Sequence, residues 1–242
     1  MSFDPFDDFE SRGYLRNFAQ EKDQRIVRDL EHRSFKANIH KALETLSKPS
    51  ILHYPDILNT HKILFESVYP WAGQDRAQTV PEIAVSRGGV FFAHPDEAAQ
   101  AIEYALKLGQ DMERMKSHPG EVMSYLAHAH PFLDGNGRTI LTVHTKLAQR
   151  AGFSVAWEET DKAAYLDALT EDLLNPKDGI LDLYLLPFLC PAVSRARLAS
   201  HIVKTQGLEG DDYFPEVEYT QYTKTGKNGD CGGKKPPPLK PG

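Results

Sequence analysis

Apolar positions recur at intervals of three and four along most of the chain, the spacing that turns one face of a helix towards a core. In DILNTHKILFESVYPW, residues 56–71, Ile57, Leu58, His61, Leu64, Phe65 and Val68 keep that spacing, and Pro70 ends the helix. His61 falls on the apolar face and reads as a core histidine with its polar atoms satisfied. PDEAAQAIEYALKLGQDMERM opens on Pro95 and two acids, which suit a helix N-terminus, and predicts one helix to about Met115. PGEVMSYLAHAH starts another at Pro119, brings Val122, Tyr125, Leu126 and Ala129 to one side, and stops at Pro131. GRTILTVHTKLAQRAGF resumes the pattern through Ile140, Leu141, Val143, His144 and Leu147, with Gly152 as its C-terminal cap. TDKAAYLDALTEDLL then runs from the start signals Thr160 and Asp161 to Asn175-Pro176. GILDLYLLPFLCPAVSRARLASHIVKT reads as a last helix, kinked or split at Pro187 and Pro191. The predicted fold class is all-α, a helical bundle.

One segment breaks the helical period. TVPEIAVSRGGVFFAHP sets β-favouring residues on both sides of Gly88-Gly89, and a Gly-Gly pair supplies the positive φ of a tight hairpin turn. On this pattern alone, a surface hairpin without a task and a functional one stand level. The ends follow no clear period. Residues 1–20 mix Asp, Phe and Gly and read as an irregular arm, with Phe3, Phe6 or Phe9 available to clip it to the core. From Asp211 the chain turns polar and is expected to be disordered, with a short polyproline II stretch at residues 236–238.

Composition narrows the function classes. With 242 residues, 40% of them hydrophobic, the chain can bury one sizeable core, so disorder throughout is excluded. A net charge of -6 argues against a basic face for nucleic acid, and any anionic ligand has to be held by local groups. Cys190 and Cys231 show no CxxC spacing, so neither a disulfide framework nor a thiolate zinc site is indicated. No apolar stretch reaches the roughly 18 residues of a spanning helix, and MSFDPFDDFE lacks the pattern of a signal peptide. The expectation is a cytoplasmic protein without membrane or nucleic-acid partners, with export by a route that reads no N-terminal signal left open.

The densest polar chemistry is HPFLDGNGRT, residues 130–139, between two predicted helices. The first-turn N–H groups of the second helix have no intrahelical partners and form an anion site. Gly135 and Gly137 allow close backbone approach, Asn136 adds a side-chain donor, and Arg138 supplies a charged fork suited to phosphate. Asp134 would repel a bare phosphate, which a bridging Mg²⁺ would reverse. His130 sits at the edge of the loop, where a neutral imidazole accepts a proton from an incoming hydroxyl. Phe132 is expected to point inward and anchor the loop. DGNG alone is common turn chemistry; the ten-residue combination is far more specific. His128 and His130, two apart in a helix, point to different faces and do not make a zinc pair. Lys146, Arg150, Arg195 and Arg197 read as solvated helix faces.

HPFLDGNGR resembles the signature of the Fic family, His-x-Phe-x-Asp/Glu-Gly-Asn-Gly-Arg, at every constrained position. WAGQDR at residues 71–76, the SRGGVFFAHP hairpin and the helices to about Thr205 follow the family's order, so the resemblance covers roughly residues 50–210. It implies three parts: an N-terminal arm and helical extension over residues 1–49, a Fic domain over 50–210, and the polar tail over 211–242. It further implies a Fic fold with a small β-hairpin flap, and protein AMPylation, the transfer of AMP from Mg²⁺-bound ATP to a Ser, Thr or Tyr hydroxyl of a target protein. Carried over residue by residue, His130 is the general base and Asp134 the Mg²⁺ ligand. Gly135, Asn136 and Gly137 form the anion hole, and Arg138 holds the departing pyrophosphate. Ser86, Arg87, Gly88, Gly89, Val90 and Phe91 fall in the flap, which registers the target segment by strand addition.

Two departures qualify the resemblance. Many members carry a second arginine three positions after the first, where this chain has Leu141. Many are also restrained by a glutamate in a Ser/Thr-x-x-x-Glu-Gly/Asn motif, which TQGLEG matches with Thr205, Glu209 and Gly210 as candidate inhibitory residues. A helix ending at Gly207 explains the same letters, and a separate antitoxin is the competing source of restraint. The reading is a nucleotide-binding adenylyltransferase acting as a bacterial toxin or effector. The alternatives are a Fic-type transferase using another donor and a non-enzymatic nucleotide- or partner-binding module.

Overall fold

The computed structural model describes residues 16–205, 208 and 218–221. Helix α1 (Gln24–Thr45) starts where the Asp23 carboxylate accepts from the Arg25 N–H, and it buries Val27, Phe35, Ile39 and Leu43 along one stripe. α2 (Tyr54–Phe65) carries Pro at its start and a reciprocal pair in which the His53 N–H donates to Asp56 Oδ2 at 2.9 Å. A one-turn α3 (Arg76–Thr79) leads into strands β1 (Ile83–Arg87) and β2 (Val90–Phe91). Gly88 and Gly89, at φ 56° and 81°, make the turn the Gly-Gly pair predicted.

The following residues were expected to form one helix to Met115. They form α4 (Pro95–Gln110) and α5 (Met112–Ser117), because Asp111 adopts an extended conformation and its carboxylate accepts from the N–H groups of Glu113 and Arg114. A side chain that caps a new helix competes with continuing the old one. Next come α6 (Pro119–Ala129) and α7 (Asn136–Ala151), joined by residues 130–135. α7 is the axis of the bundle: it packs against α1, α2, α4, α5 and α6, and both the apolar Ile140, Val143 and Leu147 and the polar Thr139, Thr142 and His144 are buried. Gly152 ends it at φ 89°.

Lys146 and Arg150 are not solvated as expected. Lys146 is buried and donates to Gln149 Oε1 at 2.7 Å. Arg150 donates to the carbonyls of Leu46, Pro49 and Ser50 just beyond α1.

After α7 come β3 (Phe153–Val155), α8 (Lys162–Leu174) and α9 (Ile180–Leu185). The long last helix of the sequence reading does not form. Pro187 lies in a single 3₁₀ turn, and Leu189–Pro191 form β4, antiparallel to β3 with Ser154 opposite Cys190. A short α10 (Leu198–Val203) closes the bundle against α1 and α7. The tail, expected to be disordered, also differs: Glu218–Gln221 form β5, paired antiparallel with β1 on the edge away from β2. The phenylalanines assigned to the N-terminal arm lie outside the described residues. The architecture is all-α with small β additions, one of them the hairpin at residues 83–91.

Candidate active site

The α6–α7 connection is built by its own side chains. Asn136 Oδ1 accepts from the Phe132 N–H at 2.9 Å while its Nδ2 donates to the Phe132 carbonyl at 2.8 Å. The amide expected to reach a phosphate therefore closes the loop instead, and the helix N-terminus keeps only backbone donors. Phe132 points inward, as expected, and stacks on His61 with ring centroids 3.8 Å apart. His61 is fully buried: its Nδ1 accepts from the Gly73 N–H at 2.9 Å, which makes Nε2 the protonated nitrogen that donates to the Asp134 carbonyl at 3.0 Å. A core histidine thus fixes the backbone of the proposed metal ligand. Gly135 sits at φ 75°, and a Cβ there would lie 2.6 Å from Phe65 Cε2 and 3.1 Å from His61 Nε2, so this close approach admits only glycine. Gly135 offers no side-chain cap to α7, so the first-turn N–H groups remain an anion site beside the exposed Asp134 and Gly137.

His130 is the residue at which α6 turns out of the helix, at φ 38° and ψ 57°. A left-handed conformation in a residue with a Cβ costs on the order of 1 kcal/mol and has to be held by its surroundings. Arg76 does this. Its backbone N–H donates to the Pro131 carbonyl at 2.8 Å and its Nε to the His130 carbonyl at 2.8 Å. Its terminal nitrogens donate to Ala93 O at 2.7 Å and Ile83 O at 3.4 Å. One buried guanidinium therefore joins the loop to both ends of the hairpin.

The His130 imidazole stacks on Phe92 at 3.9 Å between centroids, and its Nε2 is buried with no hydrogen-bond partner among the described residues. Burial, and then the charges of Arg76 and Arg87, push its pKa well below the ordinary histidine range, so the ring is neutral at pH 7. A neutral ring with an open nitrogen accepts a proton. Arg87 Nε is also buried without a partner among the described residues.

Arg138 is occupied. It pairs with Glu31 of α1 at 2.8 Å and lies 4.9 Å from the Phe65 ring centroid. Glu31 also accepts from the Tyr69 hydroxyl at 2.9 Å. Burial pushes the Glu31 carboxyl up to about 7 against the opposing pull of Arg138.

The predicted His130, Asp134, Gly135, Asn136, Gly137 and Arg138 thus share one loop and helix start. The hairpin residues Ser86–Phe91 adjoin it through Phe92 and Arg76. Thr205 lies just beyond α10, with its backbone N–H donating to Ile202 O at 2.9 Å, while Glu209 and Gly210 lie outside the described residues. Leu141 is buried in the core, one helical turn after Gly137, and offers no charged group there. The sequence reading missed Glu31 and Tyr219, whose hydroxyl donates to the Leu133 carbonyl at 2.9 Å, and gave no individual role to Arg76 or Phe92, which stand within WAGQDR and SRGGVFFAHP. Glu31 had a legible signal, since Val27 and Phe35 four positions to either side are both apolar.

A bundle of this shape with this loop defines a class, and comparison identifies it. Residues 51–148 match the Fic/DOC family. It is 28% identical over 190 residues to protein adenylyltransferase VbhT of Bartonella schoenbuchensis, a match covering 73% of this chain and 37% of VbhT. The chain therefore spans little more than a third of that relative. It is 27% identical over 164 residues to a protein of Sinorhizobium fredii named probable protein adenylyltransferase y4lH, covering 64% of this chain and 81% of that one. The crystal structure of BepC, a VirB-translocated effector of Bartonella tribocorum with bound AMPPNP, superposes with TM-score 0.61 at 20% identity, over 75% of this chain and 95% of that one. The Fic fold with its small β flap is thereby shown.

Proposed function

We propose that the chain is a protein adenylyltransferase that moves AMP from ATP to a hydroxyl of a target protein. The observation that carries this reading is the neutral His130 imidazole, its Nε2 buried and unpartnered, beside a helix N-terminus that no side chain caps. The first supplies a proton acceptor and the second a cradle for phosphate, which are the two requirements of in-line attack on a phosphoryl group. The adenylyltransferase names of VbhT and y4lH support the same chemistry.

In this reading the target hydroxyl oxygen bonds to the α-phosphorus as its proton passes to His130 Nε2, and the bond to the bridging oxygen breaks, releasing pyrophosphate. The first-turn N–H groups of α7 and the Gly137 backbone hold the phosphates, while Arg138, once free of Glu31, takes the pyrophosphate end. Asn136 contributes by holding the loop shape, not by donating its side-chain amide. Asp134 is an exposed carboxylate with one oxygen already accepting from the Gly135 N–H. Among the described residues no three metal-binding side chains cluster, and an ion here would rest on the single Asp134 carboxylate, with phosphate oxygens and water completing its shell. Mg²⁺ is such an ion, and when bound it would neutralise charge on the departing pyrophosphate.

The target, the toxin or effector role, cytoplasmic residence and any antitoxin are part of the proposal. No helix among the described residues is long and apolar enough to cross a membrane. The test is incubation of the purified chain with Mg²⁺ in bacterial lysate, with ATP labelled at the α or the γ phosphate. Protein label from α alone, lost in His130→Ala, is the expected result. Label from γ, or label that survives His130→Ala, overturns the proposal.

A further inference from the structure

β1 is a strand with two edges, and both are occupied. One pairs with β2 within the hairpin, through Ser86 opposite Phe91 and Arg87 opposite Val90. The other pairs with β5, placing Ile83, Ala84, Val85 and Ser86 opposite Gln221, Thr220, Tyr219 and Glu218. This second edge leads to the catalytic loop, because the Tyr219 hydroxyl donates to the Leu133 carbonyl at 2.9 Å, one residue before Asp134. Glu218 adds a weaker contact, accepting from Ser86 Oγ at 3.4 Å. β2 is only two residues long, so β1 offers the longer edge to an added strand.

An open strand edge binds extended peptide through backbone hydrogen bonds, and alternate side chains set which sequence fits. A strand of four residues offers few backbone hydrogen bonds, so a longer extended segment can compete with it for the edge. The Tyr219 hydroxyl spends its proton on a backbone carbonyl, which makes it an anchor.

We propose that β5 holds, within the chain, the place of an extended segment of a target protein. The same edge, once vacated, prefers segments with a tyrosine opposite Val85 and an acidic residue just before it, opposite Ser86. The proposal deepens the transferase reading by naming the target segment, while its test uses binding and needs no transfer.

The measurement is the affinity of the full chain for a fluorescent peptide, VEYTQY, taken from residues 217–222. Thr220→Pro removes a backbone donor from β5 without touching the loop. Its affinity is expected to exceed the wild type by about ten-fold, equivalent to roughly 1.4 kcal/mol of hold by β5, and a peptide with alanine for tyrosine is expected to lose the gain. Equal affinity of wild type and Thr220→Pro overturns the proposal. Tyr219→Ala is a second route to the same state, and hydrogen exchange of the β1 amides is expected to quicken in both variants. Unchanged exchange in both overturns it as well. If Thr220→Pro binds the peptide tightly while no variant transfers label from ATP, the transferase reading fails and the docking edge stands.

Discussion

One ion pair, between Glu31 and Arg138, holds the fork that the proposed function needs for polyphosphate. An arginine fork already paired with a carboxylate at 2.8 Å has to break that pair before it can take a polyphosphate. Glu31→Gln removes the competing charge, and ATP affinity is expected to rise roughly ten-fold, the scale of one hydrogen bond to a charged group. Titration of the same carboxyl gives a pH signature. Burial lifts it from the ordinary 4.5 to about 7, so it is largely neutral below pH 7 and ionised above. ATP affinity of the wild type is therefore expected to fall between pH 6 and pH 8, and Glu31→Gln to flatten that fall, as measured by calorimetry at pH 6, 7 and 8. A profile identical in the two proteins would remove Glu31 from control of Arg138. At this scale the sequence placed His130, Asp134 and Arg138 on one loop and the helix start that follows it. It could not show which partner Arg138 keeps, because Glu31 is 107 positions away and only the packing of α1 against α7 brings them together.

Among the elements, the hairpin and the α6–α7 loop act as one unit because Arg76 donates to carbonyls in both. Arg76→Met keeps much of the buried volume and removes those donors. The loss of paired buried carbonyls is expected to cost about 2–4 kcal/mol in a urea unfolding experiment. The amides of β1 and β2 should exchange faster, and AMP transfer should fall with ATP affinity held, since α7 itself is untouched. A fall in ATP affinity with transfer per bound ATP unchanged would contradict this positioning role.

The helices that carry the site were legible because proline, acids and glycine mark their ends and period 3.6 marks their faces. The elements that were not legible share a cause. β4 hides in a run whose apolar residues satisfy either period, and only pairing with Phe153–Val155 settles it. β5 lies in a polar segment with no core pattern, and only the β1 edge makes it a strand. Long-range pairing is absent from local spacing.

For the whole molecule, the same burial that equips the site sets a pH limit on the fold. Burial depresses His61 to about 3 and His144 to about 4, and His130 lies well below its ordinary value. A histidine whose folded pKa is below the ordinary 6.5 leaves the unfolded chain holding more protons in the window between the two values. Its contribution is complete above pH 6.5 and is lost as pH falls towards the folded values. Each such group withdraws about 1.4 kcal/mol per pH unit well inside its window. Glu31 runs the other way, favouring the fold below 4.5 and losing that contribution as pH rises to about 7. Burial also lowers His128 and raises the Asp182 carboxyl, so four histidines stand against two carboxyls, a net loss on acidification that is large beside the ~5–15 kcal/mol that holds a typical domain. The urea midpoint is therefore expected to drop steeply between pH 6.5 and pH 4.5. His144→Gln, which leaves the proposed catalytic residues in place, should flatten the drop because the glutamine amide can still donate to Pro119 O as His144 Nε2 does at 2.8 Å. A midpoint that stays level across that range, or a variant as steep as the wild type, would show that these rings are not carrying the acid sensitivity of the bundle.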